Sequence, residues 1–243
     1  MFILDGSLRI KRDTNMLKNI VLVIFSFLIK LGRRIDKENQ HRLWSNRELE
    51  KFSHLFSGSV CNVSGWEDSC RDGTGRKYKD LFLNCSNYTL TNYPGARGHS
   101  KPSQLDQIAL DLTFSLPKNL VSKFDVVFNH TTLEHIFEIE KAVENLSLMS
   151  NDLVIIVIPF LQEQHFDNNS YGDFWRLTPA TLCRLFEKNS IHPLYFSAND
   201  SQPWYPVYLF FIGSKYPKRW SQHFKFSVKK ALQKKVGSNL MRW

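Results

Sequence analysis

A few polar residues in this chain fall where strand ends would gather them. The run FDVVFNHTTLEHIFEIEKAVENLSLMSNDLVIIVIPF, Phe124 to Phe160, puts Asn129 and His130 at the close of one apolar segment and His165 just past the next. Histidine titrates near working pH, so His165 is a candidate general base toward a substrate hydroxyl, with His130 a second candidate at the mouth of the site. Asp173 is an alternative base, and Arg176 is suited to hold a substrate carboxylate or phosphate. Trp175, with Phe174 beside it, offers a face for stacking on a sugar or for closing a pocket, and the pair is equally suited to anchoring the loop to the core. The segment HTTLEH superficially suggests a zinc helix, but metal-binding pairs share a helix face at spacings of three or four. His130 and His135 stand five apart, about 140° around a helix of ~3.6 residues per turn. No metal is expected, and His135 reads as a packing or capping residue.

Those residues need elements to carry them. FDVVFN has the β-branched and aromatic composition of a buried strand. LVIIVIPF is continuously apolar, as in a parallel strand covered on both faces. Between them LEHIFEIEKAVENLSLM predicts one helix, with Leu133, Ile136, Phe137, Val143, Leu146 and Met149 at helical spacing. Such a βαβ unit leaves a crevice at the carboxyl ends of its strands. Upstream, NRELEKFSHLF (Asn46 to Phe56) reads as helix and SVCNVSG (Ser59 to Gly65) as strand. A polar crossover with Gly73 and Gly75 follows, holding at most a short helix at Tyr78 to Phe82. NYTLTNY (Asn87 to Tyr93) is the second strand, and LDQIALDL (Leu105 to Leu112) the next strand or a helix–strand step. Downstream, Thr178 can cap a helix with Pro179 at its first position, and HPLYFSA and PVYLFFIG close the sheet. The alternation predicts an α/β, doubly wound fold.

At 243 residues, with 42% hydrophobic and 14% aromatic content, the chain is a folded globule with one α/β domain and terminal extensions. The domain is expected over 46–213, with a basic and apolar extension at 1–45 and a basic tail at 214–243. The formal charge of +9 is concentrated at those ends. This suggests an anionic partner, either a membrane surface or nucleic acid, although a solvated basic face explains it equally. The apolar run IVLVIFSFLI, 20–29, is about half of the ~20 residues that a span requires, and no small-residue cleavage site follows it. An apolar N-terminal helix lying on a membrane surface or docked on the domain remains. The C-terminal FKFSVKKALQKKV reads as a basic helix suited to an anionic bilayer. The four cysteines show no zinc-type spacing, and Cys61 and Cys183 fall in expected core elements. Sequons at Asn62 and Asn129 fall at buried strand ends. A reducing, cytoplasmic setting is expected, with peripheral membrane contact.

The ordered set VCNVSGWEDS, DLTFSLP, FDVVFNHTTLEHI, LVIIVIPF and DFWRLTPATLCRLFEKN, covering roughly Ser59 to Phe211, resembles the class I S-adenosylmethionine-dependent methyltransferases of small-molecule type. DFWRLTP is similar to members associated with surface-polysaccharide and other glycan assembly. The resemblance implies a Rossmann-like, mostly parallel seven-stranded sheet with one antiparallel strand, and S-adenosylmethionine as cofactor across the ends of the first strands. By position, Val63, Gly65, Trp66 and Glu67 match the glycine-rich turn. Asp111 and Leu112 match the acidic position facing the adenine amino group, and Asn129 and His130 the place beside the methyl donor. His165 and the segment from Tyr171 to Arg176 match a substrate-facing loop. There are two departures. The turn is degenerate, with Gly65 its single glycine, and Asn92 stands where a carboxylate usually takes the ribose hydroxyls. The implied activity is methyl transfer to an oxygen or nitrogen of a small-molecule or glycan-linked acceptor. Two alternatives stay open: a catalytically silent binding or scaffold subunit of a membrane-associated assembly, and a nucleic-acid methyltransferase. Against the last, no (Asp/Asn)-Pro-Pro-(Tyr/Phe) signature follows the fourth strand.

Overall fold

The computed structural model describes residues 16–28, 41–94, 107–165, 172–199 and 207–224. The chain divides into two compact units, Met1–Gln40 and His41–Trp243. In the first, residues 16–28 form a helix (α1) with exposed side chains. Among the described residues, no helix is long and apolar enough to cross a membrane. The expected basic C-terminal helix and Tyr171 lie outside the described residues.

The second unit runs α2 (His41–Ser53), β1 (Ser57–Val63), β2 (Asn84–Asn92), β3 (Gln107–Ala109), β4 (Phe124–His130), α3 (Ile139–Met149), β5 (Ser150–Pro159), α4 (Pro179–Lys188), β6 (His192–Ala198) and β7 (Tyr208–Ser214). Its seven strands form one sheet in the order β3-β2-β1-β4-β5-β7-β6. Pairing is parallel from β3 through β5, and β7 runs antiparallel to both β5 and β6. This is the doubly wound sheet that the sequence predicts. One boundary moves: α2 begins at His41 and packs in this unit, so Arg42 and Ser45 belong to the α/β body rather than to a terminal extension.

β5 shows why its sequence is apolar throughout. Successive strand side chains point to opposite faces. Val154, Ile156 and Ile158 enter the core layer with Val143 and Leu146 of α3 and Leu182 and Phe186 of α4. Leu153, Ile155 and Val157 enter the other layer, with Leu49 of α2 and Tyr78. Both faces are dry, so neither position of the period tolerates a polar residue. α4 starts as expected: Pro179 opens it, and the Thr178 hydroxyl accepts from the Thr181 N–H at 3.2 Å. All four cysteines are free thiols, and the sequon residues Asn62 and Asn129 are buried.

The helix expected from Leu133 is broken. Residues Leu133–His135 form a 3₁₀ turn, and α3 begins only at Ile139. In a continuous helix the Glu134 carbonyl would accept from the N–H four residues on. Here it accepts from the N–H groups of Phe174 and Trp175, at 2.7 and 3.3 Å. A tertiary partner has replaced the helical one.

The β1–β2 crossover carries no α-helix, only the 3₁₀ turn Tyr78–Leu81. Buried Asp68 holds it, accepting from Asn62 Nδ2 (2.8 Å), the Tyr88 hydroxyl (2.5 Å) and the Lys79 N–H (3.1 Å). Asp72 ties the same loop to α2, accepting from Asn46 Nδ2 (3.2 Å), Arg76 Nη2 (3.1 Å) and the Thr74 N–H (3.0 Å). Burial pushes the Asp72 carboxyl up, but the bonds from Thr74, Arg76 and Asn46 outweigh it and bring the value down to about 2. A carboxyl held below its unfolded value stabilises fully above the ordinary range and loses that contribution as pH falls through the folded value. Asp72→Asn is therefore expected to lower stability near neutral pH by no more than about 1 kcal/mol, because solvent screens the partly exposed Thr74 and Arg76 partners. The gap between variant and parent, read from urea midpoints, should close as the pH approaches 2.

Candidate functional site

A cleft of about 860 Å³ opens beyond the carboxyl ends of β1, β2 and β4. One wall is the turn after β1, which includes Gly65, Trp66 and Glu67. Ser64, Trp66 and Asp68 have φ of 55°, 54° and 62°, a left-handed conformation that costs non-glycine residues of order 1 kcal/mol each. Tertiary bonds hold it in place. Asn92, at the end of β2, accepts from the Trp66 N–H at 2.7 Å and donates to the Trp66 carbonyl at 3.0 Å and to Gln107 Oε1 at 2.8 Å. This accounts for asparagine where the resemblance leads one to expect an acid. A carboxylate could accept from Trp66 but could not donate to its carbonyl. Asn92 acts as a strut between β2 and the turn.

Gly65 has a steric reason to be glycine. A Cβ there would meet Asn62 Nδ2 at 2.4 Å and Leu90 Cδ1 at 2.5 Å. Asn62 cannot easily retreat, because it donates to Asp68. Gly65→Ala is expected to lose about 1–3 kcal/mol, the usual penalty for overpacking. It should also displace the turn, which thermal melting and ligand titration of the same variant would report together.

A further part of the lining comes from the segment after β3. Asp111 Oδ1 accepts from the Thr113 N–H and hydroxyl at 2.9 and 2.8 Å. Its other carboxylate oxygen has no hydrogen bond among the described residues. The segment is fixed from α3, where buried Asn145 donates to the carbonyls of Leu112 (2.8 Å) and Phe114 (2.7 Å). Asp111 and Leu112 both border the cleft. Val63 and Asn129 do not. They lie buried beneath it, with Asn129 Nδ2 donating to the Val63 carbonyl at 2.9 Å.

His130 borders the cleft with both ring nitrogens engaged. Arg42 Nη1 donates to Nδ1 at 2.7 Å, and Ser45 Oγ lies 2.9 Å from Nε2. Ser45 donates its own proton to the Arg42 carbonyl, so Nε2–H is the donor and Nδ1 the acceptor. Burial, followed by the Arg42 charge, holds the His130 pKa well below the ordinary value. The imidazole is neutral and orients Arg42, which also donates to Thr131 Oγ1 at 2.7 Å.

The segment from Gln162 to Arg176 departs furthest from expectation. Arg176 was expected to meet substrate, but all five of its N–H donors serve the protein. Nε donates to Gln162 O; Nη1 to Asp173 Oδ1 and Trp175 O; Nη2 to Asp173 Oδ2 and Glu163 O. Asp173 is buried in that fork and also accepts from the His165 N–H at 2.7 Å. Burial raises its carboxyl, but Arg176 and His165 outweigh burial and hold it below the usual range. Neither residue borders the cleft. Trp175 turns inward, packing on the core and donating Nε1–H to the Ile136 carbonyl at 2.9 Å. Phe174 is the aromatic that faces the cleft, half exposed and edge-on to Phe137 with ring centroids 5.4 Å apart.

His165 does border the cleft, beside His135 and Glu134. Glu134 is 1% exposed, and burial pushes its carboxyl up to about 8. Sequence reading places neither Arg42 nor Glu134 in the site. Arg42 meets His130 across 88 positions of chain, and Glu134 enters only as part of the rejected zinc pair.

No family model and no curated protein sequence matches this chain. Solved structures do. The Burkholderia thailandensis 1,6-didemethyltoxoflavin-N1-methyltransferase, solved with 1,6-didemethyltoxoflavin and S-adenosylhomocysteine, aligns with a TM-score of 0.50 at 13% identity, over 83% of this chain and 89% of that one. A Listeria monocytogenes protein designated an S-adenosylmethionine-dependent methyltransferase aligns with a TM-score of 0.50 at 9% identity, over 72% and 98%. Taken with the strand order and the single antiparallel strand, these likenesses establish that the chain has the Rossmann-like class I methyltransferase fold.

Proposed function

We propose that the cleft binds S-adenosylmethionine and that the protein transfers the methyl group to an oxygen or nitrogen of a small-molecule acceptor. The observation that carries this reading is Asp111. Its carboxylate is anchored through one oxygen and presents the other at the cleft wall, where it can accept from the adenine amino group. Leu110 and Leu112 give that wall an apolar face, and the Gly65–Glu67 turn borders the same cleft. When bound, the cofactor supplies an electrophilic methyl carbon on a sulfonium. The protein contributes position: Tyr93, Phe137 and Phe174 border the cleft with exposed rings on which an acceptor can lie. A sugar face stacks on such rings, so a glycan-linked acceptor fits them. With His130 and Asp173 both committed to internal partners, alignment of nucleophile and methyl group supplies the acceleration.

The test is a calorimetric titration of the full chain with S-adenosylhomocysteine. Saturable one-site binding is the expected result, and no heat at millimolar ligand would end this reading. A second reading, a binding subunit without catalysis, is favoured by the commitment of Asn92 to Trp66 and Gln107. It would be preferred on that second outcome.

A further inference from the structure

We propose that Glu134, His135 and His165 form a binding site for a divalent transition-series cation at the edge of the cleft. Each offers one ligand atom, and these atoms lie within 4.8 Å of one another. The site is more than a cluster, because Glu134 is buried with both carboxylate oxygens lacking any hydrogen-bond partner. Buried polar atoms are nearly always satisfied, and an orphaned one calls for an ion or water. Glu134 Oε1 lies 3.6 Å from His135 Nε2. That is too long for a hydrogen bond. It is close to the separation of two ligands on one cation, since metal–ligand bonds of about 2.0–2.2 Å put neighbouring donors roughly 3–3.5 Å apart.

The surrounding groups orient the two imidazoles as metal ligands are usually oriented, each through its other nitrogen. His135 Nδ1 donates to the Gly172 carbonyl at 2.6 Å, so Nε2 carries the lone pair and faces Glu134. His165 Nδ1 lies 3.3 Å from Asp173 Oδ2. Asp173 is itself fixed by the Arg176 fork, which gives that fork a purpose beyond closing the loop. The backbone at Glu134 is pinned by the Phe174 and Trp175 N–H groups.

Two imidazoles and one carboxylate suit Zn²⁺, Fe²⁺, Mn²⁺ or Co²⁺ rather than Mg²⁺ or Ca²⁺, which prefer oxygen ligands. The expectation of no metal rested on the His130–His135 spacing. The second histidine instead comes from beyond β5, at a distance in sequence that no motif spacing covers. Three protein ligands leave coordination positions open toward the cleft. If the methyl-transfer reading holds, the cation would bind the acceptor oxygen there and lower its pKa, the proton leaving to solvent. His165 would then be a ligand rather than a general base.

The test uses the full chain, stripped of metal with a chelator and dialysed, then titrated with Co²⁺ by visible absorption and with Zn²⁺ by competition. No S-adenosylmethionine or S-adenosylhomocysteine is present, so failure here and failure of the methyl-transfer reading are separable. One equivalent should bind saturably. Glu134→Gln keeps the side chain's shape and removes a carboxyl that has no internal partner, so the fold should persist; its melting curve checks this. His165→Ala alters a half-exposed loop side chain. Each variant should weaken binding at least about hundredfold, while His192→Ala on β6 leaves it unchanged. Absence of saturable binding by the parent protein, or undiminished binding in either site variant, would overturn the proposal.

Discussion

Replacing Arg176 with alanine is expected to lose about 3–5 kcal/mol of folding stability, the usual consequence of removing one partner from a buried ion pair. The Asp173 side chain is fully buried and takes both of its Arg176 contacts at 2.6 Å. Without the guanidinium, the carboxylate keeps only the His165 N–H at 2.7 Å and the weaker His165 ring contact. Three backbone carbonyls, those of Gln162, Glu163 and Trp175, lose their donor at the same time. Arg176→Lys should recover little, because an ammonium has three donors and no planar fork. Urea unfolding of the three proteins measures this directly. A loss under about 1 kcal/mol for Arg176→Ala would mean that the fork is dispensable, and the substrate role first expected of Arg176 would return.

Asp111→Asn is expected to weaken S-adenosylhomocysteine binding on the order of tenfold to hundredfold, the worth of one hydrogen bond to a charged group at about 1.5–3 kcal/mol. The substitution is selective. Oδ1 continues to accept from the Thr113 N–H and hydroxyl, so the turn keeps its geometry. The other oxygen becomes an amide NH₂, a donor facing a donor. Stability should change by a few tenths of a kcal/mol, as for a surface substitution away from packing, while affinity falls. Equal affinity in the two proteins would place the adenine elsewhere.

These two residues also show how differently the halves of the site could be read from sequence. Asp111 lies at the cleft wall, where the resemblance implied an acid, anchored to Thr113 two residues on; its role toward the adenine is the proposal made above. Arg176 was misread because arginine near a strand-end loop is an equally good anion holder and loop clamp. Which one it becomes depends on whether a buried carboxylate and three carbonyls surround it. Trp175 and Phe174, read together as either pocket aromatics or core anchors, divide those roles for a similar reason. Adjacent residues in an extended segment point to opposite faces, and only the position of the Ile136 carbonyl decides which ring turns inward. The helix boundary at Leu133 failed differently. Its apolar spacing is helical, but the Glu134 carbonyl found partners in Phe174 and Trp175, some forty residues along the chain.

The glycine-rich turn is the instructive case. The sequence shows one glycine and an asparagine where a richer turn and an acid are usual. Read alone, this suggests a damaged site. In the structure Gly65 sits over Asn62 and Leu90, and Asn92 both accepts from and donates to Trp66, so the pair forms one braced unit.

By itself, the sequence determined the order and kind of most elements, because strand and helix periodicity are local and burial on two faces leaves a continuous apolar run such as that of β5. It therefore determined the fold. Only the tertiary structure decided which polar side chains face the cleft and which are already committed to the protein, because those bonds join residues far apart in the chain: Arg42 to His130, Asn92 to Trp66, His135 to Gly172. A donor that has found a buried acceptor is no longer available to a ligand, and nothing in its neighbours along the chain records that it has done so.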